Sequence, residues 1–209
     1  MTKGELIVAC IKVMFDNDTE MLDPETISDN PEYQSRTANI IESINRGFDE
    51  IAKNRKLPKK TFVLDNDIGD KGDYYTRYNL NALIEEKDVL YISHVAYENA
   101  YDYNSNVGVR LEGENILVLP NIKHGKYIVN YYPKYTKHLS YDDPDTKEIE
   151  DIPGEALRVL PYFVKAELYE DDDPEKAVLA RNIFHQYLRS IPETPLYQQH
   201  RVKSVFRGW

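Results

Sequence analysis

The residues best suited to hold an ion are four aspartates in one loop, Asp65, Asp67, Asp70 and Asp73. An EF-hand calcium loop needs acids at its positions 1, 3 and 5, glycine at 6 and glutamate at 12. Counting from Asp65, position 5 is Gly69 and position 6 is Asp70, which reverses that requirement. The flanking residues also alternate as strands do. The pattern therefore favours an irregular β-turn rich in Asp and Gly over a weak calcium site.

The other reactive side chains form no catalytic pattern. Cys10 is the only cysteine, which excludes an internal disulfide, and its neighbours Val8, Ala9 and Ile11 predict a buried core thiol. The acidic runs 142–151 and 170–175 resemble solvated surface, because paired catalytic acids need a cleft that separates their pKa values. No phosphate-binding loop or nucleophile elbow occurs. Metal-ligand spacing is absent among the histidines, which are His94, His124, His138, His185 and His200. We predict no cofactor and no enzymatic activity.

Composition predicts an acidic protein with a substantial core. The chain has 209 residues, of which 41% are hydrophobic and 30% charged, and its net charge is −10. This charge argues against gripping nucleic acid by its phosphates, although an acidic channel wall would let DNA slide past. No apolar run approaches 18 residues, and Lys12 interrupts the apolar N-terminal stretch, so we expect neither a membrane span nor a signal peptide. The single cysteine fits a reducing compartment.

The N-terminal part is predicted to be helical. Thr2 and Glu5 have capping-box spacing and precede an apolar stretch that reaches Phe15. Two further Asx-Pro-Glu helix starts occur at Asp23 and Asn30. The second opens a long helix, predicted from Pro31 to about Lys56, whose apolar stripe consists of Tyr33, Ile40, Ile41, Ile44, Phe48, Ile51 and Ala52.

Residues 61–135 have a different pattern, rich in Tyr, Val and Ile with period-two alternation and turn residues between the runs. This is typical of β-strands. We predict a small antiparallel sheet or barrel of five or six strands, at residues 61–65, 74–79, 89–97, 109–111, 116–119 and 126–132.

A helical hairpin is predicted from Ile152 to Ile191. Asp173, Pro174 and Glu175 form a strong start for its second helix, with a carboxylate cap, a proline at the first position and an acid in the first turn. The apolar face of the first helix comprises Leu157, Leu160, Val164 and Leu168. The face of the second comprises Ala180, Ile183, Phe184, Tyr187, Leu188 and Ile191.

These elements predict an α+β fold in which N- and C-terminal helices form one bundle, with an inserted antiparallel β-subdomain and an extended C-terminal tail. The expected parts are an N-terminal helical part (1–58), the β-subdomain (59–139), a helical hairpin that completes the bundle (140–191) and a docking tail (192–209). The helical parts are expected to pack together because each amphipathic face needs a partner.

The predicted tail differs in charge from the rest of the chain. Its three basic residues against Glu193 give a net charge of +2, which leaves −12 on residues 1–191. Apolar residues are spaced along the tail, and it ends on a tryptophan. A disordered terminus is the alternative, but we expect docking on a partner, with apolar anchors in pockets and cations on acidic rims. The expected partner-binding residues are Tyr197, Arg201, Lys203, Val205, Phe206, Arg207 and Trp209.

The hairpin carries a family resemblance. Its first helix has Pro153, then Glu155-Ala156-Leu157, then Leu160-Pro161-Tyr162-Phe163, and its second has Ala180-Arg181-Asn182 and Tyr187-Leu188 around a short acidic joint. This pattern is similar to that of tailed-phage head-to-tail adaptor proteins, including the tail tubular protein A group of short-tailed phages. The resemblance follows the element order over most of the chain, with the hairpin as its specific part.

The resemblance implies a virion structural protein, made in the host cytoplasm and placed at the neck between head and tail. About twelve copies would form a ring under the portal, with DNA passing through without specific binding, and a tail or next ring protein beyond. The residues that would pack copies together are Pro153, Leu157, Pro161, Tyr162, Arg181 and Tyr187. The large β insert leaves open whether the chain is the adaptor or a more distal ring protein.

Two other functions remain alternatives. The chain has 17 tyrosines, and a tyrosine-rich sheet is also suited to binding carbohydrate or peptide in a tail or baseplate. The strand-region tyrosines concerned are Tyr74, Tyr75, Tyr78, Tyr91, Tyr97, Tyr101 and Tyr103. The third possibility is an enzyme that uses the Asp-rich loops with a divalent ion, which requires carboxylates that converge on one cavity.

Overall fold

A computed structural model describes residues 1–15, 22–31, 33–66, 74–97, 109–120 and 125–192. These residues form a mixed α+β structure, as predicted. The helices are α1 (Lys3–Phe15), α2 (Gln34–Lys53), α3 (Leu80–Leu83), α4 (Gly154–Leu168) and α5 (Pro174–Ser190), with a 3₁₀ turn at Ile27–Asp29. The strands are β1 (Lys60–Asn66), β2 (Tyr75–Asn79), β3 (Val89–Tyr97), β4 (Arg110–Glu112), β5 (Ile116–Pro120) and β6 (Gly125–Pro133).

The helix starts at α1 and α5 follow their sequence signals. The Thr2 N–H donates to Glu5 Oε2 at 2.8 Å and the Glu5 N–H donates to Thr2 Oγ1 at 3.2 Å, which completes the predicted capping box. Asp173 caps α5 by accepting from the Lys176 N–H at 3.1 Å. Lys176 also lowers the pKa of Asp173, chiefly through the hydrogen bond between their side chains. Both cap predictions are confirmed.

The Asp23 helix start is wrong as a prediction of an α-helix. The Asp23 carboxylate accepts from the Glu25 N–H and the Thr26 hydroxyl, and only a 3₁₀ turn follows. The turn stops there because the N–H of Ser28 donates to the side chain of Asp145 at 2.9 Å, a tertiary bond that no local pattern specifies.

Helix α2 is also shorter than predicted, beginning at Gln34 and ending at Lys53. It closes in a Schellman motif: the Arg55 N–H donates to the Ala52 carbonyl and the Lys56 N–H donates to the Ile51 carbonyl. This motif puts its fifth residue in the left-handed region, where Arg55 has φ 59°. Glycine is the usual residue there, so Arg55 is held in a strained conformation.

Four helices share one apolar core. Helix α4 packs against α1, α2 and α5, and it runs antiparallel to α2 and α5. The predicted α2 stripe is buried from Ile40 to Ala52. The largest fully buried members of this core are Phe48, Phe184, Leu6, Ile7, Ile11, Ile27, Ile40, Ile44 and Ile51. At Gly4, a Cβ atom would lie 1.7 Å from the carbonyl oxygen of Pro24, so only glycine permits this approach.

The strands form two three-stranded antiparallel sheets, in the orders β1-β6-β3 and β2-β5-β4. The prediction of one sheet or barrel is therefore replaced by two small sheets. They share a second apolar core, which consists of Leu64, Leu80, Ile84, Val89, Ile92, Leu117, Leu119, Tyr127, Val129 and Tyr131. Asp88 ties the edge of the first sheet together, since it binds Lys60 Nζ at 2.6 Å and accepts from the Tyr131 hydroxyl at 3.1 Å.

A buried ion pair attaches the first helix to the segment before α4. The side chain of Lys3 is fully buried, and its Nζ lies 3.4 Å from Asp145 Oδ1. The same Nζ donates to the carbonyls of Tyr141 and Asp143. Asp145 also accepts from the hydroxyl of Ser28 at 2.5 Å, so both charges are hydrogen-bonded. This network joins α1, the 3₁₀ turn and the segment that leads to α4.

Candidate assembly surface

Helix α5 buries one face and exposes apolar residues on another. Its inner face, Ala177, Ala180, Phe184 and Leu188, packs on α4 and the rest of the helical core. On the outside, Leu179 is 63% exposed and Tyr187 is 54% exposed, with half-buried Ile183 between them. These three lie at i, i+4 and i+8, so they form one continuous line, called the outer ridge below. Contiguous exposed apolar residues are typical of interaction sites.

Two residues predicted to pack copies together are used inside the chain instead. Leu157 is 3% exposed and Pro161 is buried, and both belong to the buried face of α4. Their side chains are covered by the chain's own helices, so they offer no surface to another copy. The apolar spacing of Leu157 and Pro161 marks a face that needs a partner, and within this chain that partner is intramolecular.

The other four predicted packing residues lie at or near the surface. Tyr187 belongs to the outer ridge. Arg181 lies 3.5 Å from Glu167 and 3.3 Å from Glu170, so it bridges α5 to the end of α4. Pro153 precedes α4 and is half-buried, as is Tyr162. The structure does not bring these four together at one point.

The joint between α4 and α5 carries three exposed carboxylates, Asp171, Asp172 and Glu175, called the acidic joint below. None of the three has a cationic partner among the described residues, whereas neighbouring Asp173 and Glu170 pair with Lys176 and Arg181. The acidic joint therefore presents negative charge at the start of the outer ridge.

A groove lies where the end of α2 meets the first sheet, and it was not predicted. Its volume is about 370 Å³, and its lining is Asp49, Ala52, Lys53, Leu90, Lys134, Tyr135, Thr136 and His138. Tyr135 contributes its ring to this lining, while its hydroxyl donates to the Glu150 carbonyl at 3.3 Å; burial raises the pKa of Tyr135 to about 12.

Two further cations, which are not part of the lining, stack on aromatic rings of the neighbouring sheet. The guanidinium of Arg55 lies 4.5 Å from the ring centroid of Tyr91, and Lys59 Nζ lies 4.7 Å from that of Tyr132. Together with exposed Lys53 and Lys134, these residues make the basic groove, the name used below for the cavity and its four cations. The sequence signal was available in KNRKLPKK at 53–60, which has five basic residues and no acid.

The carboxylates in and near the groove already have other partners. Asp49 lies 3.1 Å from His138, and Asp88 binds Lys60. Glu150 and Asp151 both pair with Lys137. Within the described ranges, no carboxylate lies within ion-pair distance of Lys53, Arg55, Lys59 or Lys134. The basic groove is thus locally positive on an acidic protein.

The predicted loop and tail sites fall largely outside the described residues. Asp65 is exposed on β1, whereas Asp67, Asp70 and Asp73 lie outside the described residues. In the described part of the chain, no three His, Cys, Asp or Glu side chains cluster at metal-binding distance. The tail residues Tyr197, Arg201, Lys203, Val205, Phe206, Arg207 and Trp209 also lie outside.

The cysteine and the tyrosines occupy distinct environments. Cys10 is fully buried, as predicted, and burial raises the pKa of its thiol.

Tyr74 is 82% exposed, and Tyr75 and Tyr91 are also exposed. Tyr78 and Tyr97 are half-buried, whereas Tyr101 and Tyr103 lie outside the described residues. These tyrosines are therefore spread over the surface and the second core.

Among the helices that the structure describes, none has the length and apolar content needed to cross a bilayer. No protein-family model matches the chain, and no curated protein matches it either.

Proposed function

We propose that this chain is a non-enzymatic structural protein of a tailed-phage virion, a head-to-tail adaptor that assembles into a ring of about twelve copies and joins the portal to the tail. The observation that carries this proposal is the outer ridge of α5. It lies on the same hairpin whose motifs resemble those of adaptor proteins, and it is exposed in the single chain.

The ridge supplies a driving force for association. Burying a large apolar side chain that is otherwise exposed stabilises a contact by about 1.5–3 kcal/mol. Leu179 and Tyr187 together therefore offer several kcal/mol, which must be set against the entropy lost on association. Within the described residues, helix α5 packs mainly on α4, and its outer side is exposed there.

The proposed DNA channel and the proposed docking tail are supported by the distribution of charge. Residues 1–191 carry −12, which suits a wall past which DNA slides without sticking. The basic, aromatic tail has the opposite sign and is proposed to dock on the portal. The four helices around one core would form the bundle of the ring body, with the two sheets beside it.

The ridge is tested by exchanging its two most exposed residues for serine. Leu179→Ser with Tyr187→Ser should weaken self-association at least about tenfold, because apolar burial is lost. The free energy of unfolding should change by less than about 0.5 kcal/mol, since both side chains are exposed. Sedimentation velocity, alone and with a tailed-phage portal ring, measures association, and thermal unfolding measures stability.

The matched control for the ridge is Leu83→Ser, which removes a leucine that is 47% exposed at the end of α3. This control should assemble as the unaltered chain does. Equal assembly of the ridge variant and the control would remove the observation on which the proposal stands.

The docking role of the tail is tested by deleting residues 195–209. All of the described core lies before this point, so the melting temperature should be unchanged. Attachment to portal-bearing heads should be abolished, as measured by co-sedimentation. Attachment that survives the deletion would refute the docking role.

A further inference from the structure

The basic groove and the acidic joint are complementary in charge and lie at opposite ends of the helical body. The acidic joint is next to the first turns of α2, since Asp172 and Asn39 line one pocket. The groove includes Ala52 in the last turn of the same helix. Thirteen residues of helix separate these positions by about 20 Å, so the two surfaces cannot meet within one molecule.

The complementarity extends to apolar contact. The groove offers Ala52, Leu90 and the ring of Tyr135 beside Lys53 and Lys134, and its one lining carboxylate, Asp49, is paired with His138. Next to the acidic joint, the first turns of α5 expose Val178 (56%) and Leu179 (63%). One surface is thus an apolar hollow with positive edges, and the other an apolar projection with negative edges.

The backbone at Arg55 adds an independent observation. A left-handed conformation disfavours arginine by about 1 kcal/mol relative to glycine. Asn54 occupies the C-cap position, so the left-handed position of the motif falls on Arg55. Strained residues cluster at functional sites. The guanidinium of Arg55 lies over the ring of Tyr91, and Arg and Tyr are among the residue types that most often dominate protein interfaces.

We infer that the basic groove of one copy receives the acidic joint and the first turns of α5 from the next copy. This inference rests on the proposed self-assembly and names the two halves of the contact. Such a contact is heterologous: each copy uses its groove for one neighbour and its joint for the other. Contacts of this kind close into rings when the rotation between copies permits.

The inference is tested by reversing charge on each surface and then on both. One variant carries Arg55→Glu and Lys59→Glu, and the other carries Asp171→Lys and Asp172→Lys. Each alone should weaken self-association at least about tenfold, because attraction becomes repulsion at close range. All four changes in one chain, or an equimolar mixture of the two variants, should restore association to within about threefold of the unaltered chain.

A glycine variant separates this contact from folding. Arg55→Gly relieves the left-handed strain, so its melting temperature should stay equal or rise. Its self-association should nonetheless fall about threefold to tenfold, because the guanidinium is gone. The control is Lys126→Glu, a change at an exposed lysine on β6 away from both surfaces, which should leave association unchanged.

The outcomes distinguish this inference from the proposed function. Sedimentation velocity in about 0.1 M salt measures every variant as the full chain. An unaltered chain that stays monomeric both alone and with portal overturns both proposals. If the outer-ridge variant fails to associate but both charge-reversal variants associate normally, only this inference is overturned. The same holds if each charge reversal weakens association and combining the two does not restore it. A groove variant that loses only binding to a random duplex DNA oligonucleotide would assign the groove to nucleic acid instead.

Discussion

Replacing Lys3 by methionine should destabilise the chain by about 3–5 kcal/mol, because it leaves the Asp145 carboxylate buried without its cation. Methionine retains the length of the side chain but removes the charge and the donors to Tyr141 and Asp143. Chemical denaturation followed by far-UV circular dichroism measures the loss. The melting temperature should fall by roughly 10 °C for a chain of this size.

The control is Lys12→Met, at an exposed lysine of the same helix, which should change stability by less than about 0.5 kcal/mol. Adding Asp145→Asn to the Lys3 variant should recover part of the loss, since no buried charge then lacks a partner. Equal stabilities for the Lys3 and Lys12 variants would show that the buried pair does not hold α1 in place.

Replacing Phe184 by alanine should cost about 3–5 kcal/mol through the lost transfer free energy and the cavity that remains. Its ring is fully buried, and its centroid lies 5.1 Å from that of Phe163 on α4. Because α4 is the main helix on which α5 packs, the loss should loosen α5 first. Hydrogen exchange of the α5 amides measures this local opening, and denaturation measures the total.

Tyr187→Ala is the matched control, one turn away on the same helix but on the outer ridge. It should leave α5 exchange slow and should affect assembly instead. Fast exchange in both variants would mean that the outer ridge also contributes to folding the single chain.

Local signals predicted most of the helices. The capping box at Thr2 and the Asp173-Pro174 start act over three residues, and both are present as hydrogen bonds. The α2 stripe predicted a buried face because apolar spacing alone defines it. The end of α2 was missed because Arg55 occupies a position where sequence rules expect glycine.

The candidate surface was only partly predictable. Apolar spacing identified faces on the hairpin but not what covers them, so Leu157 was assigned to the same interface as Tyr187. Whether a face is covered depends on contacts between residues more than 100 positions apart in the sequence, such as those between α1 and α4. The basic groove was missed for a similar reason: its cations come from 53–59 and 134, two segments joined only by the fold.

The helical core cannot be completed until late in synthesis of the chain. Its members come from both sides of the strand region, so α1 and α2 are synthesised about 100 residues before α4. At roughly 5–20 residues per second, the ribosome needs about 5–20 s to add them. During that delay, while the strands of both sheets are being synthesised, the faces of α1 and α2 that α4 covers in the folded chain are exposed. Nascent chains should therefore depend on a holding chaperone until α4 emerges.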